Sequence, residues 1–150
     1  LVALANSLLG FIGNGIWSSI GPGLLPPGES WLSLELIFQI VFAPLAWAIG
    51  IESGDILMVA QLLGTKITQT EFLAYQQLGA LGPQLSPRSF TMASYALCGF
   101  ANFASIAIQI GGIGAMAPSR RSDLAEIGLR AMVAGFLTTC LTAAVAGLVI

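Results

Sequence analysis

Histidine is absent from the 150 residues of this chain, and cysteine occurs only twice. Cys98 and Cys140 lie in apolar runs and lack the CxxC spacing of many zinc and redox sites. Zinc sites and Cys–His catalysis are therefore poorly supported, and no metal site is expected. We expect two buried free thiols. Because Glu71 also has no activated nucleophile or ligand cluster beside it in sequence, we predict no catalytic residue and no enzyme activity.

Charged residues are scarce as well. They make up 8% of the chain, whereas hydrophobic residues make up 56% and the mean hydropathy is +0.89. Soluble domains average about 25% charged residues, so this composition indicates an integral membrane protein. The net charge of −2 is too small and too dispersed to indicate a nucleic-acid partner.

The chain begins without Met, and no basic region precedes a small-residue cleavage site. The first apolar segment therefore does not resemble a signal peptide. We expect an internal or C-terminal piece of a longer protein.

Apolar segments of membrane-spanning length are the next feature. The first covers residues 1–20 and is followed by a Pro- and Gly-rich breaker at residues 21–28. The second covers residues 31–51, with Trp31 and Trp47 near its ends. We therefore predict two apolar helices within residues 1–51.

The run from Ser89 to Ser119 contains no charge, but it holds Asn102, Ser105 and Gln109 together with four glycines. In hydrocarbon an unpaired backbone group costs several kcal/mol, so a helix weakened in this way must turn its freed groups toward protein or a polar cavity. We predict a broken membrane helix at residues 88–118 and a binding site beside the break.

The final transmembrane helix is predicted at residues 122–150. Ala131 and Gly135 have the four-residue spacing that allows close helix packing, and packing is the preferred interpretation of that spacing. The threonines of this segment, Thr138, Thr139 and Thr142, are expected to bond back to their own helix.

Residues 52–82 are amphipathic and too polar for an ordinary span. Glu71 at bilayer depth would cost roughly 2.5 to 3.5 kcal/mol and requires a partner, a cavity or protonation. Lys66 lies five residues away, which is a poor spacing for an intrahelical pair. A reentrant hairpin with its tip between Lys66 and Glu71 fits better, and an interfacial helix with a solvated charged face is the alternative.

Several long motifs resemble the C-terminal half of the concentrative nucleoside transporter family. They are Gly64-Thr65-Lys66 with Glu71-Phe72-Leu73-Ala74-Tyr75, then Tyr95-Ala96-Leu97-Cys98-Gly99-Phe100-Ala101-Asn102-Phe103 with Ser105-Ile106, Gln109-Ile110-Gly111-Gly112-Ile113-Gly114, Ala117-Pro118 and Arg120-Arg121-Ser122-Asp123-Leu124. The resemblance covers nearly the whole chain and is strongest over residues 64–130.

This resemblance implies an all-α integral membrane fold, with a reentrant hairpin and a broken helix, that forms half of an inverted-repeat transporter. It implies a multi-pass homotrimer in the plasma membrane or bacterial inner membrane, surrounded by lipid. The expected activity is nucleoside uptake coupled to sodium or protons, with no other cofactor. The coupling-ion site is expected mainly in an N-terminal half that this chain lacks.

The resemblance also implies a substrate site. Glu71 would accept hydrogen bonds from ribose hydroxyls, Asn102 and Ser105 would face the sugar from the broken helix, and Phe100 would line the same site. Two positions depart from the family pattern, which usually has Asn where this chain has Thr70 and Ser where it has Ala104. The role of position 70 in coupling or gating is therefore open.

Other interpretations remain open from the sequence. Lys66 is expected to pair with an acidic group or a helix C-terminus, and Gln109 is expected to be structural. A passive membrane pore and a helix-packing oligomerisation module are the alternatives to a transporter.

Overall fold

The computed structural model describes residues 4, 7–13 and 34–150, and every regular element in these residues is a helix. Most of the predicted first segment, the breaker at residues 21–28 and Trp31 lie outside the described residues. Of the first segment, residue 4 and residues 7–13 are helical.

Six α-helices follow from residue 34, and a short 3₁₀ turn precedes the fourth and the sixth of them. They are α1 (Leu34–Ala48), α2 (Ile56–Thr68), α3 (Glu71–Leu81), α4 (Pro87–Leu97), α5 (Phe103–Met116) and α6 (Arg121–Gly147), with 3₁₀ turns at Gly82–Gln84 and Pro118–Arg120.

Helices α2 and α3 form a hairpin. Its turn consists of Gln69 and Thr70, and the Thr70 hydroxyl caps α3 by accepting from the backbone N–H of Leu73 at 3.4 Å. A side-chain bond also joins the two arms, because the Thr65 hydroxyl donates to Gln77 Oε1 at 3.0 Å. The turn thus separates the last turn of α2, which carries the lysine of the hairpin, from the first residue of α3, which is its glutamate.

Helices α1 and α2 approach each other closely at Gly64. This residue is buried, and a methyl group added there would collide with the side chain of Phe38 on α1. A second contact between the two helices is polar, from Gln39 Nε2 to Gln61 Oε1 at 3.1 Å. Glycine therefore sets the distance between α1 and the hairpin.

The apolar run that begins at Ser89 contains two helices instead of one. Helix α4 ends at Leu97, residues 98–102 are non-helical, and α5 begins at Phe103. Gly99 has φ +127°, a conformation that L side chains rarely adopt. Glycine is thus what allows the chain to leave the helix at this point. Residues 98–102 are called the break from here on.

The other end of α4 is fixed by Arg88. Its Nη1 donates to the carbonyl of Gly50, just after α1, at 2.7 Å, and its Nη2 donates to the carbonyl of Gly147, the last residue of α6, at 2.8 Å. These carbonyls are among the acceptors that a helix leaves unpaired at its C-terminal end. One guanidinium therefore joins the ends of three helices.

Helix α6 is the longest element. With the preceding 3₁₀ turn it forms a stretch, Pro118–Gly147, that is long and apolar enough to cross a membrane, and only 17% of its most apolar window is buried. Among the described residues it is the single helix of this kind, while Ile37–Ala48, Ile56–Thr68 and Phe103–Met116 are shorter apolar helices. The outer face of α6 is thus open to lipid or to further protein.

The contact at Gly64 predicts the effect of one substitution. Gly64→Ala should lower the melting temperature of the intact protein, because the new methyl group must displace Phe38 or separate α1 from α2. We expect a loss of about 1–3 kcal/mol of stability from this overpacking. The measurement is thermal unfolding of the detergent-solubilised protein.

Gly79→Ala is the matched control, since Gly79 lies in the other arm of the hairpin with no atom within 4 Å of an added methyl. It should be neutral or slightly stabilising, because alanine favours helix over glycine. Equal losses for both variants would mean that the close approach at Gly64 is not what limits stability.

Candidate functional site

Asn102 is the residue that ends the break. It is 2% exposed and is the N-cap of α5. Its Oδ1 accepts from the backbone N–H of Ser105 at 2.8 Å and from the Ser105 hydroxyl at 2.9 Å. Asn102 therefore fixes both the start of α5 and the orientation of the Ser105 side chain.

The amide of Asn102 also reaches the hairpin. Its Nδ2 donates to Glu71 Oε2 at 2.8 Å. Three of the four residues predicted for the site, Glu71, Asn102 and Ser105, are thus joined in one hydrogen-bonded cluster. Asn102 ends the break, Ser105 lies in the first turn of α5, and Glu71 follows the hairpin turn.

Each member of this cluster keeps bonding capacity. Glu71 is half-buried, and its Oε1 makes no hydrogen bond within the described part of the chain. Asn102 has a second amide proton, and Ser105 Oγ retains lone pairs after donating its proton to Asn102. The cluster can therefore accept from a hydroxyl through Glu71 and donate to one through Asn102.

A cavity of about 440 Å³ lies between α5, α6 and the break, and its lining is mostly apolar. Asn102 and Ser105 contribute polar atoms to it, whereas Glu71 lies outside it and reaches it only through Asn102. Phe100, the fourth predicted residue, lines the cavity and is 76% exposed.

The Ala131 and Gly135 pair faces this cavity from α6. Gly135 also lies against the break, since a methyl group at this position would be 3.7 Å from the Ala101 methyl. The small residues at positions 131 and 135 thus allow α6 to contact the break closely and also leave space for the cavity beside it.

Lys66 contacts the helix that leads into the break. It is 0% exposed, and its Nζ donates to the carbonyl of Ala96 and to Thr139 Oγ1, both at 2.8 Å. Ala96 is in the last turn of α4, so the expectation that Lys66 meets a helix C-terminus agrees with this geometry.

The predictions for the two cysteines and for Gln109 agree with the structure only in part. Cys140 is 2% exposed as predicted, but Cys98 is exposed because it leads into the break instead of lying within a packed helix. The prediction that both thiols are buried is therefore wrong for Cys98. Gln109, expected to be structural, is exposed and lines the cavity near Ser105.

Thr139 has a role that its sequence context does not reveal. As expected, its hydroxyl donates to a carbonyl of its own helix, that of Phe136, at 2.8 Å. The same oxygen also accepts from Lys66, which lies 73 residues away in the chain. No local sequence signal marks such a contact.

The positions that depart from the family pattern can also be located. Thr70 is the N-cap of α3 and lies next to Glu71, while Ala104 is exposed on α5. Among the described residues, no group of three His, Cys, Asp or Glu side chains could hold a metal ion.

Comparison with known proteins identifies the family. Residues 1–147 match the family model described as the C-terminus of the Na⁺-dependent nucleoside transporter. The chain belongs to this family. The resemblance predicted from the motifs is therefore confirmed, and with it the prediction that the chain is not an enzyme, since its relatives are transporters.

Similar proteins occur in bacteria and animals. An uncharacterised transporter of Bacillus subtilis, YutK, is 42% identical over 150 residues, which is all of this chain and 34% of that protein. Human solute carrier family 28 member 3 is 42% identical over 132 residues, covering 78% of this chain and 19% of that protein.

Solved structures of the transporter CNTnw share the fold. An inward-facing, substrate-bound form is 39% identical with a TM-score of 0.82, and the match covers 98% of this chain and 35% of that protein. The all-helical architecture is thus that of this transporter family. The chain spans about a third of the length of the bacterial relative and of this solved structure.

The double role of Asn102 predicts a pH-dependent variant. Asn102→Asp keeps an acceptor for the α5 cap but places a second carboxylate against Glu71. Two carboxylates in contact cannot both ionise easily, so they share a proton in acid and repel each other once it is lost. The variant should therefore lose stability, by about 1–3 kcal/mol, as the pH rises and that proton leaves, and it should regain stability in acid.

The measurement is the melting temperature of the intact protein between pH 5 and pH 8, compared with Asn102→Asp combined with Glu71→Gln. The double variant removes one carboxylate and should lose the added pH dependence. If it instead titrates like the single variant, the carboxylate introduced at position 102 and Glu71 do not interact as described.

Proposed function

We propose that this chain is the C-terminal part of a transporter that moves nucleosides across the cell membrane against their gradient, driven by sodium or protons. In this proposal Glu71, Asn102 and Ser105 bind the ribose, and Phe100 lines the site. The observation that carries the proposal is the cluster joining Glu71 of the hairpin to Asn102 and Ser105 at the start of α5.

The free bonding positions of this cluster suit a vicinal diol. Each ribose hydroxyl can donate one hydrogen bond and accept others. Glu71 Oε1 supplies a carboxylate acceptor, and the second amide proton of Asn102 supplies a donor beside it. Hydrogen bonds to a carboxylate are about twice as strong as neutral ones, so Glu71 would contribute most of the sugar affinity.

The location of the cluster also supports a transport site. In a membrane, non-helical backbone is tolerated where it is covered by protein or lines a cavity, and broken helices commonly carry the sites of secondary transporters. The break meets this description, since its residues border the 440 Å³ cavity. We propose that the hairpin and the broken helix expose the site alternately to the two sides of the membrane.

Cation coupling is proposed on the family description and on relatives such as the mouse sodium/nucleoside cotransporter 1, which is 42% identical over 132 residues. The coupling-ion site and the contacts that read the base are assigned mainly to the part of the transporter outside this chain. A multi-pass homotrimer in the plasma membrane or bacterial inner membrane is part of the same proposal. The apolar outer face of α6 is compatible with lipid or subunit contact.

An imposed cation gradient tests the transporter against a passive pore. The intact protein in sealed vesicles should accumulate uridine above the external concentration when a sodium or proton gradient is applied. A pore would only equalise the two concentrations. Equilibration without accumulation under both gradients would therefore contradict the proposal.

A single substitution tests the sugar site. Glu71→Gln should weaken uridine binding roughly tenfold to 100-fold, because a hydrogen bond to a charged group contributes about 1.5–3 kcal/mol. The loss should be smaller for 2′-deoxyuridine, which lacks one of the hydroxyls. The measurement is substrate affinity from concentration-dependent uptake at matched expression.

Glu126→Gln is the matched control, since Glu126 is an exposed carboxylate on α6 distant in sequence from the cluster. It should transport like the unmodified protein. Equal losses for uridine and deoxyuridine in Glu71→Gln would mean that Glu71 does not anchor the sugar. Unchanged uptake in that variant would place the site elsewhere.

A further inference from the structure

Lys66 takes no part in the proposed sugar site. It is the largest of the fully buried side chains in the described part of the chain, and its burial needs an explanation of its own. Enclosing an ammonium group in protein is costly unless polar atoms surround it. No carboxylate of the described residues forms an ion pair with it. Within the described residues, the polar groups that contact the ammonium are therefore neutral.

Two oxygen atoms and one ring provide this stabilisation. Nζ donates to the carbonyl of Ala96 and to the hydroxyl oxygen of Thr139, and it lies 5.5 Å from the ring centroid of Phe136. Thr139 gives its own proton to the Phe136 carbonyl, so its oxygen is oriented as an acceptor. Lys66 thus links the hairpin to both α4 and α6.

The carbonyl of Ala96 is available to a side chain because the helix is broken. In a continuous helix it would accept from the N–H four residues later, that of Phe100. Helix α4 ends at Leu97, so that bond is absent, and the Lys66 ammonium takes its place at the negative end of the helix dipole.

Asn102 lies only six residues after Ala96, and the residues between them are mostly those of the break. The position of the α4 end relative to α6 therefore limits where Asn102 can lie relative to Glu71. Both Lys66 and Glu71 belong to the hairpin, so the hairpin contacts the chain on both sides of the break at once.

We propose that Lys66 is a positioning residue for nucleoside binding. Its ammonium group, bound to the Ala96 carbonyl and Thr139, holds the end of α4 against α6 and keeps the break in the geometry that sets Asn102 against Glu71. This inference rests on the proposed nucleoside site.

Two variants test the proposal in the intact protein. Lys66→Met keeps the length and bulk of the side chain but removes the charge and the donors, and it should weaken uridine binding by about tenfold or more. Thr139→Val removes the hydroxyl that accepts from Lys66 and donates to the Phe136 carbonyl, and it leaves the lysine in place. It should weaken binding about threefold to tenfold, with a fold that is easier to retain.

The matched controls separate this contact from general effects on α6. Thr139→Ser keeps the hydroxyl and should bind uridine like the unmodified protein. Thr142→Val removes an exposed hydroxyl that donates to the Thr138 carbonyl of its own helix, and it should also have no effect.

Hydrogen exchange of the amides at residues 98–102, measured without nucleoside, provides a readout that does not depend on ligand contact. Lys66→Met and Thr139→Val should both increase exchange there, whereas Thr139→Ser should not. A side chain that only fills space would leave exchange unchanged in Lys66→Met, because methionine fills nearly the same volume.

Each result has a defined meaning. Weaker binding together with faster exchange supports the positioning role. The positioning role is wrong if Lys66→Met and Thr139→Val bind uridine normally, or if hydrogen exchange at the break is unchanged in them. If Glu71→Gln loses uridine binding in the same experiments, the sugar site still stands. If the unmodified protein binds no nucleoside, the proposed function fails and this role fails with it. Should Lys66→Met not fold, Thr139→Val decides alone.

Discussion

The interruption of the apolar run at residues 98–102 is the constraint on which the rest of the structure depends. A helix that stops in an apolar environment exposes carbonyls at one end and N–H groups at the other, and each needs a partner. Asn102 satisfies the N–H side through its side chain, and Lys66 satisfies a carbonyl on the other side. The break is therefore stable because polar side chains have been placed around it.

The hairpin supplies both charges that this arrangement uses. Lys66 and Glu71 are five residues apart, and the turn at Gln69 and Thr70 directs them to opposite ends of the break. The cation meets the negative end of α4, and the anion meets Asn102 at the positive end of α5. Two opposite charges close together in sequence thus avoid pairing with each other and remain available to two helix ends.

The sequence was informative wherever the signal was local. Glycines and amides in an uncharged run indicated a broken helix, and the spacing of Lys66 and Glu71 indicated a turn between them. The motifs led to the family, which the comparisons confirm. The assignment of Glu71, Asn102, Ser105 and Phe100 to substrate remains a prediction, although the first three lie together.

Contacts between residues distant in the chain could not be predicted from the sequence in the same way. The acceptors of Lys66 lie 30 and 73 residues away, and neither periodicity nor spacing encodes which oxygen a long flexible side chain will reach. The exposure of Cys98 was missed for a related reason, because hydrophobic neighbours predict burial only while the helix continues. Once Gly99 turns the chain out of the helix, the thiol beside it is no longer enclosed by helix packing.

The guanidinium of Arg88 gives α4 a pivot at the end opposite the break. It binds the carbonyls of Gly50 and Gly147, so that end is tied to two other helices. Near the far end, two side chains of the hairpin, Lys66 and Tyr75, donate to the carbonyls of Ala96 and Ser94. Helix α4 has 11 residues and is about 16 Å long, so a tilt of about 10° about the pivot would displace the far end by about 3 Å. A small rotation of α4 about Arg88 would therefore move the start of the break by about the length of a hydrogen bond, and Asn102 lies at the other end of the break.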